Sequence, residues 1–359
     1  MTDSTPHIEA SVCPLPLKHD QRIVLGHGSG GRMSFDLISK LFLPSFDNPI
    51  LRIGDDAGII TVPHAITDVD CRIAVSTDSH VVMPLFFPGG DIGRLAICGT
   101  VNDVAMMGAT PQYLTAGFVL EEGLDIEILQ KVIESMHLAA IEADIQIVAG
   151  DTKVVQKGKA DGLYINTTGF GLIPPGINIS GTNAQPGDVV IISGSIGDHG
   201  IAVLAARGEL RFETEIKSDI APLNGLVSTI LNASKNIHVL RDPTRGGLAT
   251  SLNEIACQSQ VGITIYEDKI PVKSAVSAAC EMLGFDPLYI ANEGKIISIV
   301  GKTDVERVLK AMQHHPLGSN ASVIGMVSEN PKGRVLLKTT LGTTRVIDMM
   351  SGEMLPRIC

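Results

Sequence analysis

The sequence has 359 residues, a formal net charge of -11, 44% hydrophobic and 19% charged residues. That length exceeds the roughly 250–300 residues one core sustains, so two domains are expected. The acidic balance speaks against a general nucleic-acid surface, which needs basic patches, and no apolar run approaches the roughly 18 residues of a membrane helix.

Residues 1–20 are polar, carry Asp3 and Glu9, and lack the basic start and apolar core of a signal peptide, so they read as a loosely ordered extension. Six cysteines (13, 71, 98, 257, 280, 359) form no C-x-x-C pair, which argues against a zinc knuckle or disulfide framework and fits a reducing cytoplasm. The turn Gly26-His27-Gly28-Ser29-Gly30-Gly31-Arg32 feeds a helical pattern at Phe35–Phe42. Amide N–H groups in such a turn have no internal partner and suit phosphate, although the Lys-Ser/Thr ending of a P-loop is missing.

Two adjacent carboxylates, Asp55 and Asp56, lie between Leu51/Ile53 and Ile59/Ile60. Ile73–Ser76 reads as a buried strand ending in Thr77-Asp78-Ser79-His80, and strand ends in α/β folds are where ligands bind. Asp91 caps a helix through Met107, stopped by Gly108, with Asn102-Asp103 set among Val101, Val104 and Ala105. An acid there must be paired, metal-bound or on the wet face. A second amphipathic helix spans Asp125–Ala143 and leads to a short strand, Gln146-Ile147-Val148, that delivers Gly150-Asp151-Thr152-Lys153 at its end. Another strand covers Tyr164–Leu172, and Pro174-Pro175-Gly176 marks the domain boundary.

The second half opens on the strand Val189–Ser193, the glycine loop Gly194–Gly200 as a possible phosphate cradle, and a helix at Ile201–Arg207. Arg241-Asp242-Pro243-Thr244-Arg245 stands before a helix through Leu252, Ile255 and Ala256, a plausible anion site. Glu293 falls in a turn before a strand at Ile296–Val300; a helix (Val305–Met312) and strands (Ser322–Val327, Val335–Thr339) follow. From Asp348 no periodicity survives, and the sequence ends Pro356-Arg357-Ile358-Cys359. Asp55, Asp56, Asp78, Asp103, Asp151 and Asp242 together suit magnesium ions around a nucleotide triphosphate, one or two carboxylates per ion.

The glycine turn, Gly54-Asp55-Asp56-Ala57, Thr77-Asp78, Asn102–Gly108, Gly150-Asp151-Thr152 and Asp242–Gly247 together resemble the aminoimidazole-ribonucleotide-synthetase-like ATP-binding superfamily. Within it, Gly150–Val154, Asn292-Glu293-Gly294-Lys295 and the ending on Cys359 are similar to the carbamoyl dehydratases of nickel–iron hydrogenase maturation. The resemblance implies a two-domain α/β (α+β) fold: an ATP-binding and dimerisation domain over 21–174, a C-terminal α/β domain over 175–347, and a mobile tail over 348–359. It implies a homodimer, MgATP as cofactor, a HypF-type carbamoyltransferase that loads Cys359, and an iron-carrying HypC–HypD-type acceptor of cyanide.

Carried onto this sequence, ATP is expected at Gly28, Ser29, Gly30, Gly31, Asp56, Asp78, Asn102, Gly150, Asp151, Thr152 and Arg245. Glu293 is the expected base, Lys153 the group that orients a thiocarboxamide, and Cys359 the sulfur that carries it. From Asp348 to Cys359 an extended chain spans at most about 36–40 Å, enough to pass from a surface to a buried site. Two other functions fit the same motifs: a small-molecule kinase or synthetase of the superfamily, acting on thiamine phosphate, a purine intermediate or selenide, and a non-catalytic ATP-dependent scaffold for metallocentre assembly.

Overall fold

Residues 23–28, 31–46, 48–62, 71–208 and 215–350 are described by the structure, a computed structural model. The expectations for residues 1–20, Ser29, Gly30 and Cys359 lie outside the described residues.

The first half holds helices α1 (Arg32–Leu37) and α2 (Leu43–Phe46), strands β1 (Gly58–Val62), β2 (Cys71–His80), β3 (Phe86–Phe87) and β4 (Gly90–Asp91), then α3 (Ile92–Met106), β5 (Thr110–Glu121), α4 (Ile126–Glu142), β6 (Gln146–Val155) and β7 (Leu163–Ile173). Five strands form a sheet in the order β1-β2-β7-β5-β6, antiparallel except for the parallel pair β5/β6. Strict alternation along β7 turns Leu163, Ile165, Thr167, Gly169, Gly171 and Ile173 inward and Asn166, Thr168, Phe170 and Leu172 outward.

Two of those inward residues are glycines for a steric reason. A Cβ on Gly169 would sit 2.8 Å from Thr100 Cγ2, and one on Gly171 2.5 Å from Val104 Cγ1. Without them α3 lies directly on the sheet. Asp91 caps that helix by accepting from the N–H groups of Gly93 and Arg94, satisfying donors that have no partner within the helix. Nearly every α3 residue is buried, because the second half of the chain covers its other side.

That half contains β8 (Val189–Ile192), α5 (Asp198–Ala206), α6 (Asn224–Ala233), β9 (Ile237–Arg241), α7 (Gly247–Ser259), β10 (Gly262–Tyr266), α8 (Ser274–Leu283), β11 (Ile297–Val300), α9 (Val305–His314), β12 (Ser322–Ser328), β13 (Arg334–Lys338) and β14 (Thr344–Ile347). Its sheet runs β14-β13-β10-β12-β8-β11-β9, with only β10/β13 parallel. Alternation splits it between two layers: Val190, Ile192, Ile297 and Ile299 pack on Leu248, Leu252 and Ile255 of α7, while Ile191 and Val300 pack with α6, α9 and the Val104–Met107 end of α3. Each large aliphatic side chain buried there contributes roughly 1.5–3 kcal/mol. The first sheet ends at Ile173 and the second begins at Val189, yet two of the three hydrophobic clusters draw residues from both halves. Among the described residues, no helix is long and apolar enough to cross a membrane.

Two local expectations change. β6 continues through Val155, so Asp151 stands in mid-strand and not at a strand end, and nearly all of β6 is exposed. The helix at Phe35–Phe42 divides into α1 and a π-helical turn at Ile38–Phe42, with Phe35, Ile38, Leu41 and Phe42 exposed.

Candidate active site

β2 and α3 bring the first acids together. Ser76 and Asp78 share the inward face of β2, and Ser76 Oγ donates to Asp103 Oδ2 across 2.7 Å. Gly99, one turn before Asp103, opens space for this strand: a Cβ there would be 3.1 Å from His80 Cε1 and 3.8 Å from Asp78 Oδ2. His80 is buried with Nε2 3.2 Å from the Thr167 hydroxyl, and burial lowers its pKa.

The second half adds Asp242 and Glu293. Burial, then repulsion from Asp242, Asp78 and Asp56, raises the Asp103 pKa well above the usual carboxylate range. Burial pushes Asp242 up to about 6 against the pull of Arg241. Glu293 is 3% exposed, its Oε1 has no hydrogen-bond partner, and its pKa is raised well above the usual range by burial and by Asp242, Asp219 and Asp78. Arg245 reaches into the group with Nη2 3.8 Å from Asp78 Oδ1. Asp103, Asp242 and Glu293 are buried close enough to other acids to have their pKa raised despite the neighbouring arginines, and hard carboxylate oxygens are the donors magnesium takes. Asp78, Asp103 and Asp242 therefore fit the ion, although no group of three or more His, Cys, Asp or Glu among the described residues is already gathered as a metal cage.

Other expected residues make contacts within the chain. Asp55 Oδ1 accepts from the Gly181 N–H at 2.7 Å and ties the segment before β1 to the second half. Asp56 is bonded to Arg241 Nη1 at 2.5 Å; burial pushes its pKa upward, Arg241 opposes this, and Asp242, Glu254 and Asp55 add to it. Arg241 also meets Glu254 at 3.6 Å and Gln258 at 3.2 Å, so its guanidinium is engaged in this internal network. Asn102 donates to Ala221 O (3.1 Å) and Glu293 O (3.4 Å) and accepts from Leu223 N (2.8 Å), so its amide is fully occupied by backbone. The cradle expected at Gly194–Gly200 is filled: Gly197 N donates to Asn292 Oδ1 at 2.7 Å, and Asp198, in the first turn of α5, is bonded to Ser195 and Lys273.

Asp151 and Lys153 lie apart from these acids. Cross-strand partners share a face, and Asp151 aligns with Gly117, Asn166 and Ser79, whereas Gly150 aligns with Ala116, Thr167 and Asp78. Asp151 is thus on the outward face, three strand spacings or about 14 Å from β2. Its carboxylate pairs with Lys153 at 2.7 Å, both side chains being 69% exposed, and that bond lowers its pKa. Thr152 and Gly150 sit on the same exposed edge strand.

At the glycine turn, Gly28 and Gly31 are described. The Arg32 N–H donates to the Met350 carbonyl at 2.9 Å, and a Cβ on Gly31 would be 2.3 Å from that oxygen, so glycine is required there. Residues leading to Met350 are fixed by Asn253 Nδ2 on Ile347 O (3.0 Å) and Tyr289 Oη on Asp348 O (2.9 Å). Sequence reasoning missed Glu254, Asp219 and the use of Arg241; these depend on contacts between distant segments, and nothing in local spacing marks them.

The comparisons agree with this architecture. Residues 54–173 match the N-terminal domain of the AIR synthase related proteins and residues 185–338 their C-terminal domain. The carbamoyl dehydratase HypE of Cupriavidus necator is 52% identical over 346 residues, covering 96% of this chain and 97% of that protein. A crystal structure of a HypE–HypF complex superposes with a TM-score of 0.82 at 50% identity, covering 88% of this chain and 99% of that one. A crystal structure of HypE in complex with ATP gives 0.78 at 49%, covering 94% and 100%. A two-domain AIR-synthase-like architecture, buried acids contributed by both of its halves and half-identical relatives along nearly the whole length converge on one assignment: the chain belongs to the HypE family of carbamoyl dehydratases.

Proposed function

We propose that this chain dehydrates an S-carboxamide carried on its own Cys359, using ATP, to give an S-cyano group. The observation that carries the reading is the contact of Met350 with Gly31 and Arg32, which starts the Cys359 segment at the glycine turn. Nine residues beyond Met350 reach at most about 30 Å. The sulfur is thus tethered beside the glycine turn, and a relative has been crystallised with ATP.

In the reaction, the amide oxygen attacks the γ-phosphorus and ADP leaves; the C–O bond then breaks to release phosphate while both N–H protons depart, leaving carbon triply bonded to nitrogen. Glu293, buried with a free Oε1, is the group placed to take a proton once positive charge enters the cluster. Arg245, beside Asp78, faces the developing phosphate charge. Magnesium held by Asp78, Asp103 and Asp242 would neutralise the triphosphate.

The outward face of the first sheet, with Ile60, Val62, Tyr113 and Leu172 exposed, suits a second copy of the chain. Lys153, on that face, keeps its expected role toward the thiocarboxamide only in such an assembly. A HypF-type carbamoyltransferase loads the sulfur, as the crystallised HypE–HypF pair suggests, and an iron-carrying HypC–HypD-type complex takes the cyanide. Free thiols at Cys71, Cys98, Cys257 and Cys280 accord with a reducing cytoplasm.

The test is to incubate the chain with a carbamoyl donor, the transferase and MgATP and to weigh the peptide containing Cys359. The expected product is a carbamoyl adduct that loses one water, and Glu293→Gln is expected to retain the adduct. An unmodified Cys359, or an adduct that never loses water, overturns the reading.

A further inference from the structure

A base must be held still, yet the buried Oε1 of Glu293 has no hydrogen-bond partner among the described residues. What fixes it is its backbone. The Glu293 N–H donates to Asp219 Oδ1 at 3.0 Å, and its carbonyl accepts from Asn102 Nδ2 and from the Ala221 N–H. Lys295 Nζ is 3.1 Å from Asp219 Oδ2 and donates to the Gly294 carbonyl at 3.4 Å. Asp219 therefore touches the turn on both sides of Glu293, and its own carbonyl lies only 1.8 Å from where a Cβ on Gly294 would be.

We propose that Asp219, braced by Lys295, is a positioning residue for Glu293. The proposal rests on Glu293 being the base. Both partners are deeply placed, the side chains being 4% and 13% exposed, and a buried ion pair is a poor source of stability compared with apolar packing. Its geometry accounts for its presence, since each of its ends also binds a backbone group flanking the base. Burial pushes the Asp219 pKa up, but Lys295, His199 and the Glu293 N–H together pull it below the usual value, so the carboxylate stays charged and accepts strongly.

A misplaced base slows proton removal without changing nucleotide binding. Asp219→Ala is expected to lower the single-turnover rate of water loss from carbamoylated full-length chain at least about tenfold, with the KM for ATP within about twofold of the parent. Asp219→Glu, which retains an acceptor and a charge, is expected to recover part of the rate. The decisive comparison is the double variant Asp219→Ala/Glu293→Gln, expected to be no slower than Glu293→Gln alone. A parental rate in Asp219→Ala, or a double variant slowed by the full additional factor, overturns the proposal. A parental rate in Glu293→Gln instead overturns the base assignment. Should Asp219→Ala fail to fold, Lys295→Met carries the same measurements: a parental rate, or additivity with Glu293→Gln, counts against the bracing role.

Discussion

The two faces of the first sheet use the same kind of residue for opposite ends. On the inward face Ser76, Asp78 and Thr167 are drawn under α3, and acids there meet Asp103 and Asp242. On the outward face Thr77, Ser79, Asn166, Asp151 and Lys153 remain exposed, and the acid simply finds a lysine two residues away. Asp78 and Ser79 are neighbours in sequence yet belong to different chemistry. A strand's two-residue period decides whether a carboxylate is forced to share charge in a buried site or is solvated.

The contrast is most exposed to failure at Asp103. Asp103→Asn is expected to cut ATP-dependent phosphate release on the order of a thousandfold; near-parental release would remove the inward face from the active site. Next is the pH response of Asp242. Its folded pKa of about 6 lies above the ordinary value of about 3.9, so its contribution to stability is full below about pH 4 and lost as pH rises through about 6. Compared with Asp242→Asn in urea, without nucleotide or divalent ions, the parent is expected to lose about 3 kcal/mol across that window. A constant difference would refute the assigned strain. On the outward face, Leu172→Asp is expected to weaken the proposed self-association by on the order of 2 kcal/mol, by placing an unpaired charge on the face proposed to meet a second copy; sedimentation that matches the parent would separate that face from assembly.

Much of this frame was readable beforehand because local rules decide it. The Asp91 cap and Gly108 stop bound α3, Asp125 opens α4, and alternation marks β7. The reading failed where distant segments decide. After Ile147-Val148 the glycine and charges of β6 look like a strand end, but pairing with β5 carries the strand to Val155. A register shift between Leu114 and Thr115 helps set which β6 residues align with the inward row, and no local pattern reveals it. The Gly194–Gly200 loop looked open because the chain that fills it, Asn292 and Lys273, comes from far along the sequence. Asp219 was invisible for the same reason: its partners are Glu293 and Lys295.

Gly169 and Gly171 touch neither the acids nor the glycine turn, yet they set how closely α3 lies on β7. A methyl group at either position would wedge the helix away, carrying Asp103 off Ser76 and Asn102 off the Glu293 carbonyl together. The gauge of the candidate site is thus written in two missing side chains, at positions that touch none of its acids.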